Sequence, residues 1–215
     1  MLCCARADLG EGVRLSACEP SLLERRGDAL ASLGDLRAAL CARWALRAAE
    51  LEGPRIRVWG SPRVVVEGRM LIGDRARFVS KPACLELFVA RGATLSIGRS
   101  SFINHGTSIA ALERVEIGES ATIGPHCMIL DNAFHRLEPS RRQELPPSRP
   151  VVLEKNVWLG ARVIVLPGVT IGENTVVAAG SVVTRDLPAN ILAAGVPARV
   201  LRSLPEAPTT PSAGV

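Results

Sequence analysis

The segment LGARVIVLPGVTIGENTVVAAGSVV, residues 159–183, carries an aliphatic side chain at every sixth position. These positions are Leu159, Val165, Ile171, Val177 and Val183. A period of six matches neither the 3.6-residue period of an α-helix nor the alternation of a long, flat strand. It is typical of very short strands joined by tight corners, with three six-residue units completing one coil.

The same phase continues towards the N-terminus, with one two-residue slip after Ile109. The other aliphatic positions are Ile97, Ile103, Ile109, Ile117, Ile123, Ile129 and Leu153. A smaller or β-branched residue stands two positions before most of them, and glycine often follows, as in IGESATIG at residues 117–124. Glycine suits corners that need unusual backbone angles. The repeat therefore predicts a mainly β coil over about residues 56–202, less regular before Ile97.

These phrases resemble the hexapeptide-repeat acyltransferase family, whose fold is a left-handed parallel β-helix. The resemblance implies that the aliphatic side chains point into a narrow prism, and that the chain is mainly β. Left-handed crossovers depart from the usual right-handed rule for parallel strands, so this prediction rests on the motif and not on general topology. The open ends of such a coil need covering, because exposed strand edges invite pairing with other chains.

The flanks of the repeat divide the chain into three predicted parts. Residues 1–55 form an N-terminal segment and helical cap, because an Ala- and Leu-rich stretch runs to Gly53-Pro54 with apolar residues at helical spacing. Those residues are Leu33, Leu36, Leu40 and Trp44. We expect one or two helices over the first coil, or else an element that meets a membrane surface or a partner. Residues 56–204 form the β-helix, and the Pro-, Ser- and Thr-containing residues 205–215 are predicted to be a disordered tail.

Composition and charge distribution argue against a nucleic-acid partner, secretion and a membrane span. The net charge of +5 is spread along the chain and interleaved with acidic residues, which disfavours nucleic-acid binding. The six cysteines show no paired spacing, as expected of reduced thiols. No secretory signal pattern and no run of eighteen apolar residues is present in the sequence. We therefore expect a cytoplasmic protein without a transmembrane segment.

One long interruption of the repeat is a candidate functional segment. Between Ile129 and Leu153 the hexads vanish but the six-residue phase is kept, so whole units are replaced by a loop at residues 131–150, DNAFHRLEPSRRQELPPSRP. Long loops inside compact domains are often functional. His135 lies near its start, where an imidazole could take a proton from an incoming hydroxyl, an effect of about 10² to 10⁴ in rate.

The loop resembles the maltose, galactoside and polysaccharide O-acetyltransferase branch of the family, in which an Asp-x-x-x-His segment supplies the catalytic base. The matching residues are Asp131 and His135. A Phe-Ile-Asn phrase of the same branch matches residues 102–104, which implies that Asn104 orients the acceptor or stabilises charge at the reacting carbonyl. The alternative for Asn104 is a corner residue with left-handed backbone angles.

The same resemblance implies acetyl-CoA as the acyl donor. Small corner residues would let its pantetheine arm approach the backbone, and arginines in the terminal phrase AAGVPARVLR, residues 193–202, would meet its phosphates. The residues implied are Trp158, Gly160, Ala161, Ala179, Thr184, Arg185, Arg199 and Arg202. Tight corners also require small residues, and Trp158 could instead stack on the loop as a structural residue.

Cys127 falls on the small inward position of the repeat, so it is predicted to be an inert core thiol. We therefore expect direct acetyl transfer in a ternary complex to a hydroxyl of a saccharide or glycan precursor. The family implies a homotrimer with active sites between subunits. A zinc-dependent hydratase on the same fold is an alternative, but His105, His126 and His135 occupy unlike phases, and no metal is expected. A non-catalytic hexapeptide scaffold or binding protein is the other alternative.

Overall fold

The computed structural model describes residues 33–205, which form one α-helix followed by a succession of short strands. Residues 1–32 and 206–215, with the predicted start of the helical cap and nearly all of the predicted tail, lie outside the described part. The helix α1 spans Leu33–Ala45. In chain order the strands are β1 (Glu50–Leu51), β2 (Arg57–Gly60), β3 (Arg63–Val66), β4 (Arg69–Ile72), β5 (Arg77–Ser80), β6 (Glu86–Val89), β7 (Thr94–Ile97), β8 (Phe102–Ile103), β9 (Ser108–Ala111), β10 (Arg114–Ile117), β11 (Thr122–Ile123), β12 (Met128–Leu130), β13 (Val151–Leu153), β14 (Trp158–Leu159), β15 (Ile164–Val165), β16 (Thr170–Ile171), β17 (Val176–Val177), β18 (Val182–Val183), β19 (Ile191–Gly195) and β20 (Ala198–Ser203).

The strands stack into three sheets, and each coil of the chain adds one strand to each sheet in turn. Sheet A has the order β1-β4-β7-β10-β13-β16, sheet B runs β2-β5-β8-β11-β14-β17-β19-β20, and sheet C contains β3-β6-β9-β12-β15-β18. All neighbours are parallel except β19 and β20, which form an antiparallel pair at the end of sheet B. This three-sheet parallel coil confirms the predicted fold and agrees with a left-handed β-helix.

The interior of the coil is filled by the aliphatic positions of the repeat. All twelve of the residues predicted to point inward are at most 2% exposed. In the regular coils an inward residue stacks on the residue 18 positions later, as Leu153 does on Ile171. In the first coils the corresponding pairs are Ile72 with Ile97 and Phe78 with Ile103, each 25 positions apart. Longer corners therefore hide the six-residue period before Ile97, although the core there is just as buried.

Helix α1 packs with a face that the sequence analysis did not select. The predicted packing residues Leu36, Leu40 and Trp44 are 54%, 59% and 71% exposed, so that prediction is wrong. The buried residues are Ala38, Ala42 and Leu46, and the helix lies against β2. Both faces are apolar, so spacing alone cannot choose between them, and alanine allows the closer approach. Within the described residues, no helix has the length and hydropathy needed to cross a membrane.

The corners between strands stack into three edges, which we name by the sheets that they join. The AB edge follows each strand of sheet A, the BC edge follows sheet B, and the CA edge follows sheet C. Six non-glycine residues at the AB edge have positive φ angles between 56° and 61°. They are Arg75, Ser100, Ser120, Asn156, Asn174 and Asn190. At the BC edge, His126 and Arg162 adopt the same conformation.

Candidate functional site

The predicted loop at residues 131–150 leaves the coil at the CA edge, between β12 and β13, with one short 3-10 turn at Pro139–Arg141. Its first residue, Asp131, is fully buried. The Asp131 carboxylate accepts backbone N–H bonds from Leu112 at 2.9 Å, Glu113 at 2.7 Å and Arg114 at 2.8 Å. Hydrogen bonds to an ionised group are among the stronger ones in proteins. The structure therefore places Asp131 as the anchor of the loop, with its carboxylate turned into the protein.

Asn132 is a second anchor, which sequence reasoning missed. It is 2% exposed, and its Nδ2 donates to the carbonyl oxygen of Pro146 at 2.9 Å and to the hydroxyl of Ser148 at 2.8 Å. Its Oδ1 accepts the N–H of Phe134 at 2.6 Å, and Phe134 has a positive φ of 62°. Asn132 thus joins the two ends of the loop and holds the turn that immediately precedes His135.

His135 is exposed to solvent, and its Nδ1 lies 2.9 Å from the backbone oxygen of Arg142. A carbonyl oxygen can only accept, so the hydrogen bond requires the proton to be on Nδ1. In the neutral imidazole this leaves a lone pair on Nε2. The loop therefore fixes both the orientation and the tautomer that a general base needs.

Asn104 lies at the BC edge and is half-buried. Its Oδ1 accepts the N–H of His105 at 2.8 Å, which leaves the Nδ2 group available to donate elsewhere. Asn104 is not among the residues with positive φ, so the alternative of a left-handed corner residue is wrong. In the next coil that conformation belongs to His126.

Two histidines meet at the BC edge beside Asn104. The rings of His105 and His126 are edge to face, with centroids 5.1 Å apart. A side chain at Gly106 would strike the His126 ring, because a Cβ there would lie 2.3 Å from its Nδ1. The different repeat phases did not predict this contact, which arises because His126 takes the left-handed corner position. Across residues 33–205, no group of three His, Cys, Asp or Glu side chains could hold a metal ion.

Six of the eight predicted donor residues line sheet B and the BC edge, and Thr184 and Arg185 do not. Trp158 projects outward from β14, between Thr122 and Val176 on the neighbouring strands, and is 53% exposed. It therefore does not stack on the loop, which leaves from the CA edge. Gly160 is required by packing, since a Cβ there would lie 2.6 Å from the backbone nitrogen of Ala179. Ala161 is half-buried and its carbonyl accepts the N–H of Gly180 at 2.8 Å.

Two arginines extend these rows to the end of the coil. Arg202 on β20 pairs with Leu192, which pairs with Val176, so Arg202 continues the outward row that contains Trp158. Arg199 pairs with Ala194 and is exposed. The small residues and both arginines thus form one accessible strip along sheet B and its BC edge.

Residues 150–185 match the family model described as bacterial transferase hexapeptide (six repeats). The galactoside O-acetyltransferase of Escherichia coli strain K12 is 34% identical over 145 residues, which cover 66% of this chain and 71% of that protein. The chain belongs to the hexapeptide-repeat acyltransferase family. It falls in the O-acetyltransferase branch, as the resemblance of its loop and terminal phrase predicted, and it is an acyltransferase.

Solved members of the hexapeptide-repeat acyltransferase family share the fold. The acetyltransferase VCA0836 of Vibrio cholerae O1 biovar eltor, complexed with acetyl-coenzyme A, has a TM-score of 0.56 at 30% identity, covering 80% of this chain and 86% of that one. A galactoside acetyltransferase in complex with coenzyme A has a TM-score of 0.56 at 36% identity, covering 62% of this chain and 64% of that chain.

In this acyltransferase the candidate residues are divided between two different edges. Asn104, Ala161 and Ala179 belong to the BC edge. His135, on the loop, and Thr184 and Arg185, which follow β18, belong to the CA edge. Within residues 33–205 no hydrogen bond joins His135 to Asn104 or Trp158. The loop that carries His135 and the corner that carries Asn104 thus leave opposite sides of sheet C.

Cys127, which the repeat predicted to be an inert core thiol, is not a reactive nucleophile. Cys127 is 1% exposed and its Sγ lies 3.1 Å from the carbonyl oxygen of Gly160. Burial raises the pKa of the Cys127 thiol to about 11. At neutral pH the group is protonated, and only a thiolate is a good nucleophile. The placement of Cys127 in the core was predicted correctly.

Proposed function

We propose that the protein transfers an acetyl group from acetyl-CoA to a hydroxyl of a saccharide or glycan precursor, with His135 as the general base. The observation that carries the proposal is the hydrogen bond from His135 Nδ1 to the Arg142 carbonyl, which leaves Nε2 as an acceptor in an exposed position. The E. coli relative is a galactoside O-acetyltransferase, which supports a sugar hydroxyl as the acceptor.

In the proposed reaction, Nε2 of His135 takes the proton of the acceptor hydroxyl as its oxygen attacks the thioester carbonyl carbon. The carbon–sulfur bond then breaks, and the imidazolium returns the proton to the leaving thiolate. Asn104 Nδ2 is free to donate to the oxygen on which negative charge develops. Because the Cys127 thiol is buried and protonated, we propose direct transfer in a ternary complex and no acyl-enzyme.

The donor fits the strip along sheet B and the BC edge. Small residues at Gly160, Ala161 and Ala179 leave room for an extended pantetheine arm against the backbone, and Trp158 offers an exposed apolar surface beside it. Arg199 and Arg202 stand at the C-terminal end, where guanidinium groups suit phosphates. Thr184 and Arg185, at the CA edge, would complete the donor site from a neighbouring subunit.

We propose a homotrimer in which the CA edge of one subunit faces the BC edge of the next. This arrangement unites His135 with Asn104 and Trp158, which one chain keeps on different edges. Along β12, β15 and β18 the outer face of sheet C is apolar and only partly covered, with Met128 41% exposed and in register with Ile164 on the next coil. An apolar face of this kind is typical of a subunit interface.

The principal test measures free thiol released from acetyl-CoA with a panel of sugars, serine and chloramphenicol-like alcohols. We expect turnover with a sugar, and a loss of about 10² to 10⁴ in kcat for His135→Ala. Gln143→Ala, at an exposed position of the same loop, is the matched control and should keep wild-type kcat. Undiminished turnover in His135→Ala would remove His135 from the mechanism.

The shared site is tested by mixing subunits. His135→Ala and Trp158→Ala damage opposite sides of the proposed interface, so each homotrimer should be impaired at all of its sites. Random co-assembly should regenerate intact sites and restore about a quarter of wild-type turnover. Failure to recover activity in a demonstrated mixed trimer would show that both residues act within one chain.

A zinc-dependent hydratase is the second candidate, because His105 and His126 lie in contact at the BC edge. The third histidine of the sequence, His135, forms no metal-binding group with them within one chain, so a third imidazole would have to come from a neighbouring subunit. Metal analysis of the purified trimer decides between the acetyltransferase and the hydratase, since one tightly bound zinc per subunit would favour the hydratase. A scaffold protein would bind neither zinc nor acetyl-CoA. The cytoplasmic location stays a prediction.

A further inference from the structure

Two arginines on sheet B face each other in a register position where the neighbouring sheet has an ion pair. On sheet C, Arg63 of β3 is in register with Glu86 of β6, and their side chains are 3.4 Å apart. On sheet B, between the same two coils, Arg57 of β2 is in register with Arg77 of β5. Like charges directly opposite one another on neighbouring strands are destabilising.

Neither arginine is neutralised by a carboxylate within the described chain. Arg57 Nη1 donates to the backbone oxygens of Pro54 and Ile56, and the Arg77 guanidinium lies 5.5 Å from the centre of the Phe102 ring. These contacts orient the groups but leave their charge uncompensated. The corners that precede the strands add Arg55 and Arg75, of which Arg55 is paired with Asp74.

The outward arginines on the strands of sheets A and C are paired, and so is Arg99 at the AB edge. Arg69 lies 2.9 Å from Glu50, Arg99 lies 3.0 Å from Glu119, and Arg114 lies 2.7 Å from Glu116. These pairs lie on sheet A or at the AB edge. The strand arginines of sheets A and C are thus compensated by carboxylates, whereas Arg57 and Arg77 on sheet B are not.

The position of the pair relates it to the acceptor and not to the donor phosphates. Arg57 and Arg77 begin the outward row that continues through Phe102, Thr122 and Trp158. Neighbouring strands are about 4.8 Å apart, so Arg77 stands one step from Phe102 and about 14 Å from Trp158. Arg199 and Arg202 lie at the opposite end of the row.

We infer that Arg57 and Arg77 bind an anionic group of the acceptor, so that the substrate is a saccharide carrying a carboxylate or a phosphate. This inference rests on the proposed function. Paired guanidinium groups bind both kinds of anion through charge-assisted hydrogen bonds. With the acceptor hydroxyl beside Asn104, the anion lies one or two coil steps away, on the same or the adjoining sugar unit.

The test compares galactose, galacturonate and galactose 1-phosphate as acceptors, with acetyl-CoA as donor. We expect the KM of one or both anionic sugars to be at least about tenfold below that of galactose, as for a gained charge-assisted contact. Arg77→Gln should remove this advantage and leave the KM of galactose and of acetyl-CoA within about twofold. Whichever of galacturonate and galactose 1-phosphate has the lower KM shows whether the site prefers a carboxylate or a phosphate. Arg69→Gln, in the same coil but on sheet A, should change none of these values.

Equal KM values for all three sugars in the wild type would overturn the inference. So would an Arg77→Gln variant in which the KM of acetyl-CoA rises instead, because the arginines would then serve the donor. Loss of the trimer in Arg77→Gln, measured by light scattering, would assign them to assembly.

A binding measurement separates this inference from the proposed function. Trp59 lies two residues after Arg57 on the same side of β2, so its fluorescence should respond when an anionic sugar binds. Saturable binding of galacturonate or galactose 1-phosphate to the wild type and to Arg69→Gln, weakened about tenfold in Arg77→Gln, would support the inference even if no acetyl transfer occurs. Equal binding by all three proteins would overturn it.

Discussion

The AB and BC edges are built from corners of the same repeat, yet their side chains behave in opposite ways. At the AB edge, polar side chains bond to one another from coil to coil. Asn156 Nδ2 donates to Asn174 Oδ1 at 2.9 Å, and Asn174 Nδ2 donates to Asn190 Oδ1 at the same distance. At the BC edge the equivalent positions carry Arg162 and Gly180, directly after Ala161 and Ala179, and no such ladder is formed.

This difference separates a closed edge from an open one. An edge whose polar groups satisfy each other stabilises the coil and offers little to a ligand. An edge of small residues contributes few side-chain contacts but leaves the backbone within reach of an extended molecule. Substitutions at the AB edge should therefore change stability, and substitutions at the BC edge should change activity.

The largest effect is expected when bulk is added to the open edge. Ala179→Leu places a branched side chain on an exposed corner, where it should obstruct the pantetheine arm without entering the core. We expect kcat/KM for acetyl-CoA to fall about a hundredfold, the equivalent of losing one well-buried apolar contact. Steady-state kinetics measure the loss, and circular dichroism should show an unchanged melting temperature.

Ala189→Leu provides the matched control, because Ala189 is an exposed alanine of the AB edge. The same side chain is added there, so kcat/KM should stay within about twofold of the wild type. If both variants lost activity equally, the two edges would not differ in the way proposed.

The second prediction concerns the thiol beneath the open edge. Because burial raises the pKa of Cys127 from 9.0 to about 11, the folded protein binds this proton more tightly than the unfolded chain. The stabilisation is complete below pH 9 and is lost as the pH rises towards 11. Between these pH values the free energy of unfolding should fall by about 1.4 kcal/mol per pH unit. Urea unfolding between pH 8 and 11 measures it.

Cys127→Ser should flatten this dependence. The variant fits because Ser181 and Thr107 occupy the same inward position in other coils and are also fully buried. A slope that persisted in Cys127→Ser would assign the pH dependence to other groups.

The same contrast explains how much of the molecule could be read from the sequence. Inward positions such as Ile123 and Val177 were predictable, because a narrow prism admits only aliphatic side chains at a fixed spacing. The loop at residues 131–150 was predictable for the same reason, since it interrupts that spacing.

The open edge was harder to interpret. Ala179 suits both a tight corner and a ligand, and no local pattern distinguishes the two uses. The inward turn of the Asp131 carboxylate depends on backbone N–H groups of residues 112–114, which lie a full coil earlier in the chain. The row from Arg57 to Trp158 becomes visible only when strands more than 18 residues apart are in register.

The third prediction tests the closed edge. Asn174→Ala removes both hydrogen bonds of the asparagine ladder and places alanine at a φ of 59°. This left-handed conformation costs alanine about 1 to 2 kcal/mol, whereas asparagine tolerates it better because its side chain can form local hydrogen bonds. Chemical denaturation should show a loss of at least that size, with kcat unchanged. In Asn174→Gly the backbone can still adopt this φ angle without strain. The smaller loss of stability in that variant therefore measures the contribution of the two hydrogen bonds.

The smallest effect is expected from the ion pair of Arg99 and Glu119, also at the AB edge. Their side chains are 67% and 47% exposed, so water and salt screen the 3.0 Å contact. A double-mutant cycle with Arg99→Gln and Glu119→Gln should give a coupling below about 0.5 kcal/mol that disappears in 1 M sodium chloride. Arg99 and Arg77 are both exposed arginines of the early coils. The paired Arg99 therefore also serves as the reference for Arg77, which has no carboxylate partner. If neutralising Arg99 changed acceptor KM as much as neutralising Arg77, charge alone would matter, and the contrast between a closed and an open side of the coil would fail.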